Sequence, residues 1–244
     1  MLENIKVVLI QTFHPGNIGA IARAMKNMGL SQLILVNPVA FPNAEADARA
    51  GNAIDILEQA IVVNSLAMAI EECTLVIAAS ARSRSIPLPV LNPERAAEEL
   101  AAEAKQAQVA LVFGRERMGL HNEDLALCHK HVVINANPDY PVLNISQAVQ
   151  ILCYEIFKVS QTVIMPNSEK KPNQYPVNKD LEAFYSFMEL TLTETGFINP
   201  AHPLQAMKHY RAFIKRARPT KRELTLLRGM VASILKSAQT RLNP

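Results

Sequence analysis

Tryptophan is absent from the 244 residues, and Phe and Tyr together make up only 5% of them. The core must therefore be aliphatic, and with 49% hydrophobic residues the chain can bury a sizeable one. Three cysteines, Cys73, Cys128 and Cys153, are odd in number and lack CxxC spacing. They argue against a disulfide framework and fit a reducing compartment. No run approaches the roughly 20 apolar residues that span a bilayer. The start, MLENIKVVLIQT, lacks a basic segment followed by an apolar stretch and a small-residue cleavage site, so it reads as a strand and not as a secretory leader. A cytoplasmic protein with no membrane segment is expected. Cys128, His129 and His131 crowd one strand entrance, but without a fourth ligand or structural-zinc spacing no metal is expected.

A net charge of +3 conceals an asymmetry. Up to Ala206 the chain carries 15 Lys and Arg against 21 Asp and Glu, and beyond it 10 against one. A basic segment on an acidic body points to a phosphate-rich partner, although a solvated helix face would give the same count.

Short aliphatic runs at Lys6–Gln11, Gln32–Val36, Ala60–Val63, Thr74–Ala79, Val109–Phe113 and His131–Ile134 predict strands. Most lack polar alternation, as expected of parallel strands covered on both faces. Between them, Ile18, Ile21, Ala22, Met25 and Met28 recur at helical spacing before Gly29, and Pro93–Gln106 follows the cap Asn92. The order predicts an α/β domain over residues 1–160, closed by a long apolar helix from Ile145 to Val159. Residues 161–178 read as a linker, and 179–244 as a basic helical extension. In that extension Leu204, Met207, Phe213 and Ile214 would face a core. So would Leu224, Leu227, Val231, Ile234 and Leu235, after a capping box from Thr220 to Glu223.

In open parallel sheets ligands sit beyond the carboxyl ends of strands, so the loops there carry the candidates. After the first strand, Gly16-Asn17-Ile18-Gly19 opens a helix that could bring N–H groups to a phosphate, and Arg23 follows within it. Neither a dinucleotide fingerprint nor a P-loop is satisfied. After the fifth, Gly114-Arg115-Glu116-Arg117-Met118-Gly119 brackets three charges with two glycines, implying a tight turn and a close approach. After the sixth, Pro141-Val142-Leu143-Asn144 precedes the long helix, where Asn144 has an ordinary reading as N-cap with Gln147 as its reciprocal partner. Taken singly, a surface Arg, an ion-paired turn and a cap explain all three.

In order and together, NxGxxxRxxxNxG, LVFGRERxGL and NPxYxxLNxSxAVQ resemble the SPOUT superfamily of RNA methyltransferases, in its ribose-methylating branch. SARSRSIP and the basic FIKRARPTKRELTLLRG are similar to bacterial tRNA 2′-O-methyltransferases acting on nucleotide 32 of the anticodon loop. The resemblance covers essentially the whole chain. It implies an α/β fold with a parallel sheet and a deep C-terminal trefoil knot, plus a small all-helical domain. It also implies S-adenosylmethionine as cofactor, tRNA as substrate, and a homodimer with the active site at the subunit interface. By resemblance, Ala79, Ser80, Ala81, Gly114, Ile134, Pro141, Val142 and Leu143 would contact the cofactor. Arg23, Asn17, Glu116 and Asn144 take the catalytic motif positions. Arg82, Arg84, Arg115, Lys215, Arg216, Arg218, Lys221 and Arg222 would hold RNA. A guanidinium is a poor general base, so Arg23 is expected to orient the ribose or its phosphate and stabilise the developing alkoxide, with Glu116 or a substrate phosphate accepting the proton. Where many relatives carry Ser two residues before the last Asn, this chain has Val142, which leaves any hydroxyl role to Ser146. The same chemistry on another tRNA or ribosomal nucleotide, or a non-catalytic RNA binder of this fold, would satisfy the same motifs.

Overall fold

The computed structural model describes residues 1–80, 88–161, 174–198 and 203–242, in two compact units, Met1–Asn167 and Ser168–Pro244. In the first, strands β1 (Ile5–Ile10), β2 (Gln32–Val36), β3 (Ile61–Val63), β4 (Cys73–Ala79), β5 (Val90–Leu91), β6 (Gln108–Phe113) and β7 (Lys130–Val132) are interleaved with helices. These are α1 (Pro15–Asn27), α2 (Ala44–Ala50), α3 (Ile54–Glu58), α4 (Leu66–Ile70), α5 (Pro93–Glu103), α6 (Asn122–Leu127) and α7 (Ile145–Gln161). All six expected strands are present to within a residue or two. The additions are β5, only two residues long, and the short helices α2, α3, α4 and α6. Segments of one or two turns are too brief to leave a periodic signature.

The strands form one sheet in the order β3-β2-β1-β6-β4-β7-β5, with every pairing parallel. One face packs Val7, Leu9, Leu33, Leu35, Leu75, Ile77, Leu111 and Phe113 against α1, α5 and α7. The other packs Val8, Ile10, Ile34, Val36, Val76, Ala110 and Val112 against α4 and α6. Both faces of each central strand are thus buried, which is why the sequence runs there are continuous. Each Val, Leu, Ile or Phe among them contributes about 1.5–3 kcal/mol. Asn92 caps α5 by accepting from the Arg95 N–H at 2.8 Å.

The position of β7 organises the site. It lies between β4 and β5, which residues 80–89 connect. The chain arrives from α6 on one face of the sheet and departs to α7 on the other. A strand late in the chain is thus inserted between two earlier ones, with its flanking helices on opposite faces, an arrangement in keeping with the expected trefoil knot.

The second unit packs α8 (Asn178–Glu194), α9 (Pro203–Ala217) and α10 (Lys221–Leu242) around Leu181, Phe184, Tyr185, Met188, Met207, Ile214, Leu224 and Val231. The Thr220 capping box is formed: Glu223 accepts from the Thr220 N–H at 2.7 Å, and Thr220 Oγ1 accepts from the Glu223 N–H at 3.3 Å. Two expected core positions are corrected. Phe213 is 58% exposed and Ile234 is 42% exposed. At about 100° per residue, Phe213 falls some 120° from Met207 and Ile234 some 60° from Val231. The Leu204 side chain lies outside the described residues, as do residues 162–173 of the expected linker. The end of that linker is fastened to the helical unit: Gln174 accepts from the Lys221 N–H at 2.8 Å, and the Arg218 guanidinium lies 4.2 Å from the Tyr175 ring centroid. Among the described residues no helix is long and apolar enough to cross a membrane.

Candidate active site

Beyond the carboxyl ends of β1 and β6, the turn Gln11–His14 meets the loop Gly114–Gly119. Gln11 takes a left-handed conformation (φ 47°), which turns the chain sharply at the strand end. The Gly114 loop closes through a two-bonded bridge, the Arg115 N–H to Gly119 O at 3.2 Å and the Gly119 N–H to Arg115 O at 2.8 Å. This closure holds Glu116 against the β1–α1 turn. Its carboxylate accepts from the Phe13 N–H at 3.0 and 3.1 Å, the His14 N–H at 3.2 Å and Asn17 Nδ2 at 3.3 Å. Burial pushes the Glu116 carboxyl up, but the N–H donors of Phe13, Glu116 itself and His14, with the Asn17 amide, outweigh it and hold its pKa below the ordinary carboxylate range. Glu116 is consequently an ionised clamp between its loop and the β1–α1 turn.

Asn17 passes the connection on. Its Oδ1 accepts from Asn144 Nδ2 at 3.2 Å. Asn144 Oδ1 in turn accepts from the Ser146 N–H at 2.8 Å and Ser146 Oγ at 2.7 Å, while Gln147 Oε1 accepts from the Asn144 N–H at 3.2 Å. Asn144 is therefore both the cap of α7 and the end of a Glu116–Asn17–Asn144 chain, with Ser146 fixing its orientation.

Beside this chain lies a cleft lined by Ala79, Ser80, Gly114, Ile134, Pro141, Val142 and Leu143, together with Glu116. It encloses about 820 Å³ including its open mouth. Seven of the eight residues expected at the cofactor are thus brought together. Ala81 lies outside the described residues, as do Arg82 and Arg84. Phe113, Arg117, Val132, Ile145 and Ala148 also line the cleft and were not anticipated. Phe113 and Val132 end their strands, Ile145 and Ala148 lie in the first turn of α7, and Arg117 stands within the bracketed loop, which is the signal that could have found them. The lining offers apolar walls at Ala79, Phe113, Val132, Ile134, Val142, Leu143 and Ile145, with Arg115, Glu116 and Arg117 as its charged members.

Arg23 is not part of this assembly. It is exposed on α1, does not line the cleft, and makes no hydrogen bond or ion pair among the described residues. Six residues past Asn17 place it about 240° around the helix and ~9 Å along it. Arg115 is a correction: its guanidinium bonds Asp124 at 2.8 Å and Gln11, holding the loop to α6 and β1 and not facing outward for RNA. Lys215 is another, being only 4% exposed. Arg216, Lys221 and Arg222 are exposed, and Arg218 is half-buried. The glycines that open α1 lie close against α2. A Cβ on Gly19 would collide with the Ala46 carbonyl of α2, and one on Gly16 would meet the Glu45 carboxylate. Cys128, His129 and His131 are held by backbone partners. Cys128 Sγ donates to Asp124 O at 3.3 Å, His129 Nδ1 accepts from the Val76 N–H at 3.1 Å, and His131 Nε2 lies 3.0 Å from Ser80 O. Among the described residues no cluster of three His, Cys, Asp or Glu could hold a metal.

Comparison with known proteins matches this arrangement. The SpoU rRNA Methylase family model matches residues 4–154, and that of the tRNA methyltransferase TrmJ C-terminal domain matches residues 179–243. A tRNA (cytidine/uridine-2′-O-)-methyltransferase TrmJ of Pectobacterium atrosepticum is 49% identical over 240 residues, covering 97% of this chain and 99% of its own. Among solved structures, TrmJ from Z. mobilis ZM4 aligns with TM-score 0.80 at 30% identity, over 94% of this chain and 98% of that one. A probable methylase family protein from Haemophilus influenzae Rd KW20 aligns with TM-score 0.65 at 39% identity, over 99% and 100%. With the parallel sheet, β7 inserted between β4 and β5, and one residue from each motif joined in a hydrogen-bonded chain beside the cleft, the chain belongs to the SpoU methylase family of the SPOUT superfamily.

Proposed function

We propose that the protein transfers the methyl group of S-adenosylmethionine to the ribose 2′-hydroxyl of nucleotide 32, C or U, in the tRNA anticodon loop, acting in the cytoplasm as a homodimer. The observation that carries this reading is the Glu116–Asn17–Asn144 chain set beside the cleft that gathers the expected cofactor contacts. The near full-length identity to a tRNA ribose methyltransferase supports the substrate class.

The cofactor supplies an activated methyl on a sulfonium, so the chain has mainly to position the hydroxyl and ease loss of its proton. Ile134, Val142 and Leu143 would wall the adenosine, with Gly114 and Ser80 offering backbone. With Glu116 engaged by the turn, the hydroxyl proton would leave to water or an RNA phosphate. Arg23 is the group suited to orient the ribose phosphate and stabilise the developing alkoxide. Since its position on α1 separates it from the chain's own Asn17–Asn144 pair, it would serve the site of a second copy.

Methyl transfer to unmodified tRNA, with the modified nucleotide mapped by mass spectrometry, tests the reading. A 2′-O-methyl at nucleotide 32 is expected, and no transfer to tRNA would overturn it. Arg216, Arg218, Lys221 and Arg222 would hold phosphates, which fix position without reading sequence. Replacing Arg216, Lys221 and Arg222 by Gln should weaken tRNA binding and lower the slope of log affinity against log salt by roughly two, with cofactor affinity unchanged. An unaltered slope would exclude this corner as the RNA grip.

A further inference from the structure

One side chain at the cleft mouth contributes little to the fold. Phe13 is 55% exposed although it belongs to a turn whose backbone is held at two successive N–H groups by Glu116. Its ring is flanked, not covered. The His14 ring stands edge-on at 5.1 Å and 87°, and the Arg117 guanidinium lies 5.9 Å from its centroid. Arg117 and Glu116 both line the cleft, so Phe13 stands at the cleft's border. Val142, which lines the cleft, is also open, as are Met118 and Tyr140, each next in sequence to a lining residue. A pinned backbone under an open aromatic face, with a cation beside it, is the arrangement that stacks nucleobases in single-stranded RNA.

We propose that Phe13 is the platform on which the base of the target nucleotide stacks, with Arg117 beside it neutralising the flanking phosphate. The inference rests on the reading of the protein as an RNA ribose methyltransferase and adds how the nucleoside is held. A ribose hydroxyl in a loop can meet the methyl donor only if its nucleotide is turned out of the loop stack. The base so displaced needs a new π-surface. Stacking reads no hydrogen-bond edge, so such a platform accepts cytidine and uridine alike and contributes position, not base choice.

The test uses the full-length protein and anticodon stem-loop RNA whose target nucleotide has been mapped with the unaltered enzyme. Phe13→Ala should lower kcat/KM roughly 5- to 150-fold, equally for cytidine and uridine targets. Phe13→Trp should retain activity and Phe13→Leu should not, because bulk without a π-face does not stack. The deciding substrate carries an abasic ribose at the target: there Phe13→Ala and the unaltered enzyme should transfer methyl at the same reduced rate. An equal loss on the abasic RNA, full activity of Phe13→Leu, or dissociation of the oligomer by Phe13→Ala would overturn the platform and assign Phe13 to packing. Absence of transfer by the unaltered enzyme to any tRNA would instead overturn the underlying reading.

Discussion

Arg23→Lys is expected to lower turnover on saturating tRNA at least about 100-fold, with cofactor affinity and thermal stability unchanged. The size follows from the role proposed for Arg23, since removing one donor that stabilises a developing oxyanion costs about 10²–10³ in rate. Lys keeps the charge but not the planar fork that orients a phosphate bidentately. Stability should not move, because Arg23 is exposed on α1 and has no partner among the described residues. Surface changes of that kind stay within about 0.5 kcal/mol. Single-turnover assays at saturating RNA, with calorimetry for the cofactor, provide the measurement. Turnover equal to the unaltered enzyme would remove Arg23 from the mechanism. The same residue tests the proposed sharing of the site between two copies. Chains carrying Arg23→Ala and chains carrying Asn144→Ala, each inactive alone, should regain part of the activity when co-expressed, because a mixed dimer holds one site intact in both respects. Without complementation, Arg23 acts within its own chain.

Gly114→Ala is expected to abolish both cofactor binding and transfer and to destabilise the first unit by about 3 kcal/mol. A Cβ at Gly114 would overlap the Gly119 carbonyl group and the Leu120 nitrogen, which are backbone atoms unable to swing aside. Overpacking commonly costs about 1–3 kcal/mol, and here relief requires breaking the Arg115–Gly119 bridge. Once the bridge opens, Glu116 leaves the Phe13 and His14 N–H groups and Asn17 loses its anchor. Thermal unfolding and calorimetry with S-adenosylmethionine read the two effects. Gly229→Ala is the control. Nothing lies within 4 Å of a Cβ there, and in a helix interior Ala is favoured over Gly by about 0.5–1 kcal/mol. Gly114→Ala with normal cofactor affinity would show that the loop tolerates expansion and would separate it from the cleft.

The sheet was legible because its strands are covered on both faces. Val7 to Ile10 and Val109 to Phe113 each read as one unbroken aliphatic run, and each alternates between the α1–α5–α7 face and the α4–α6 face. What stayed hidden was either too short to repeat, as in Val90–Leu91, or set by partners far away in sequence. No local pattern shows that Arg115 meets Asp124 and Gln11, or that Gly19 makes room for the Ala46 carbonyl. Asn144 was legible as a cap, since Ser146 and Gln147 stand beside it. Its bond to Asn17, 127 residues earlier, was not. The buried Lys215 and the exposed Phe213 show the same limit in the helical unit: composition marks the segment as basic, but the α9 face decides which cation reaches solvent. The site likewise emerged from the order of three motifs, none of which specified it alone.

The placement of β7 between β4 and β5 bears on how molecules become competent, apart from how stable they are. The layer against α4 and α6, and the part of the other that packs on α1 and α5, can form around β1, β2, β4 and β6 before the later chain has passed β7. The cleft cannot, because Ile134, Leu143 and Asn144 all follow β7. A refolding population could therefore look native by helix content and still be divided by topology. A ligand of the cleft would select those chains that have completed the crossing and hold them there, acting on a folding population as a one-way gate.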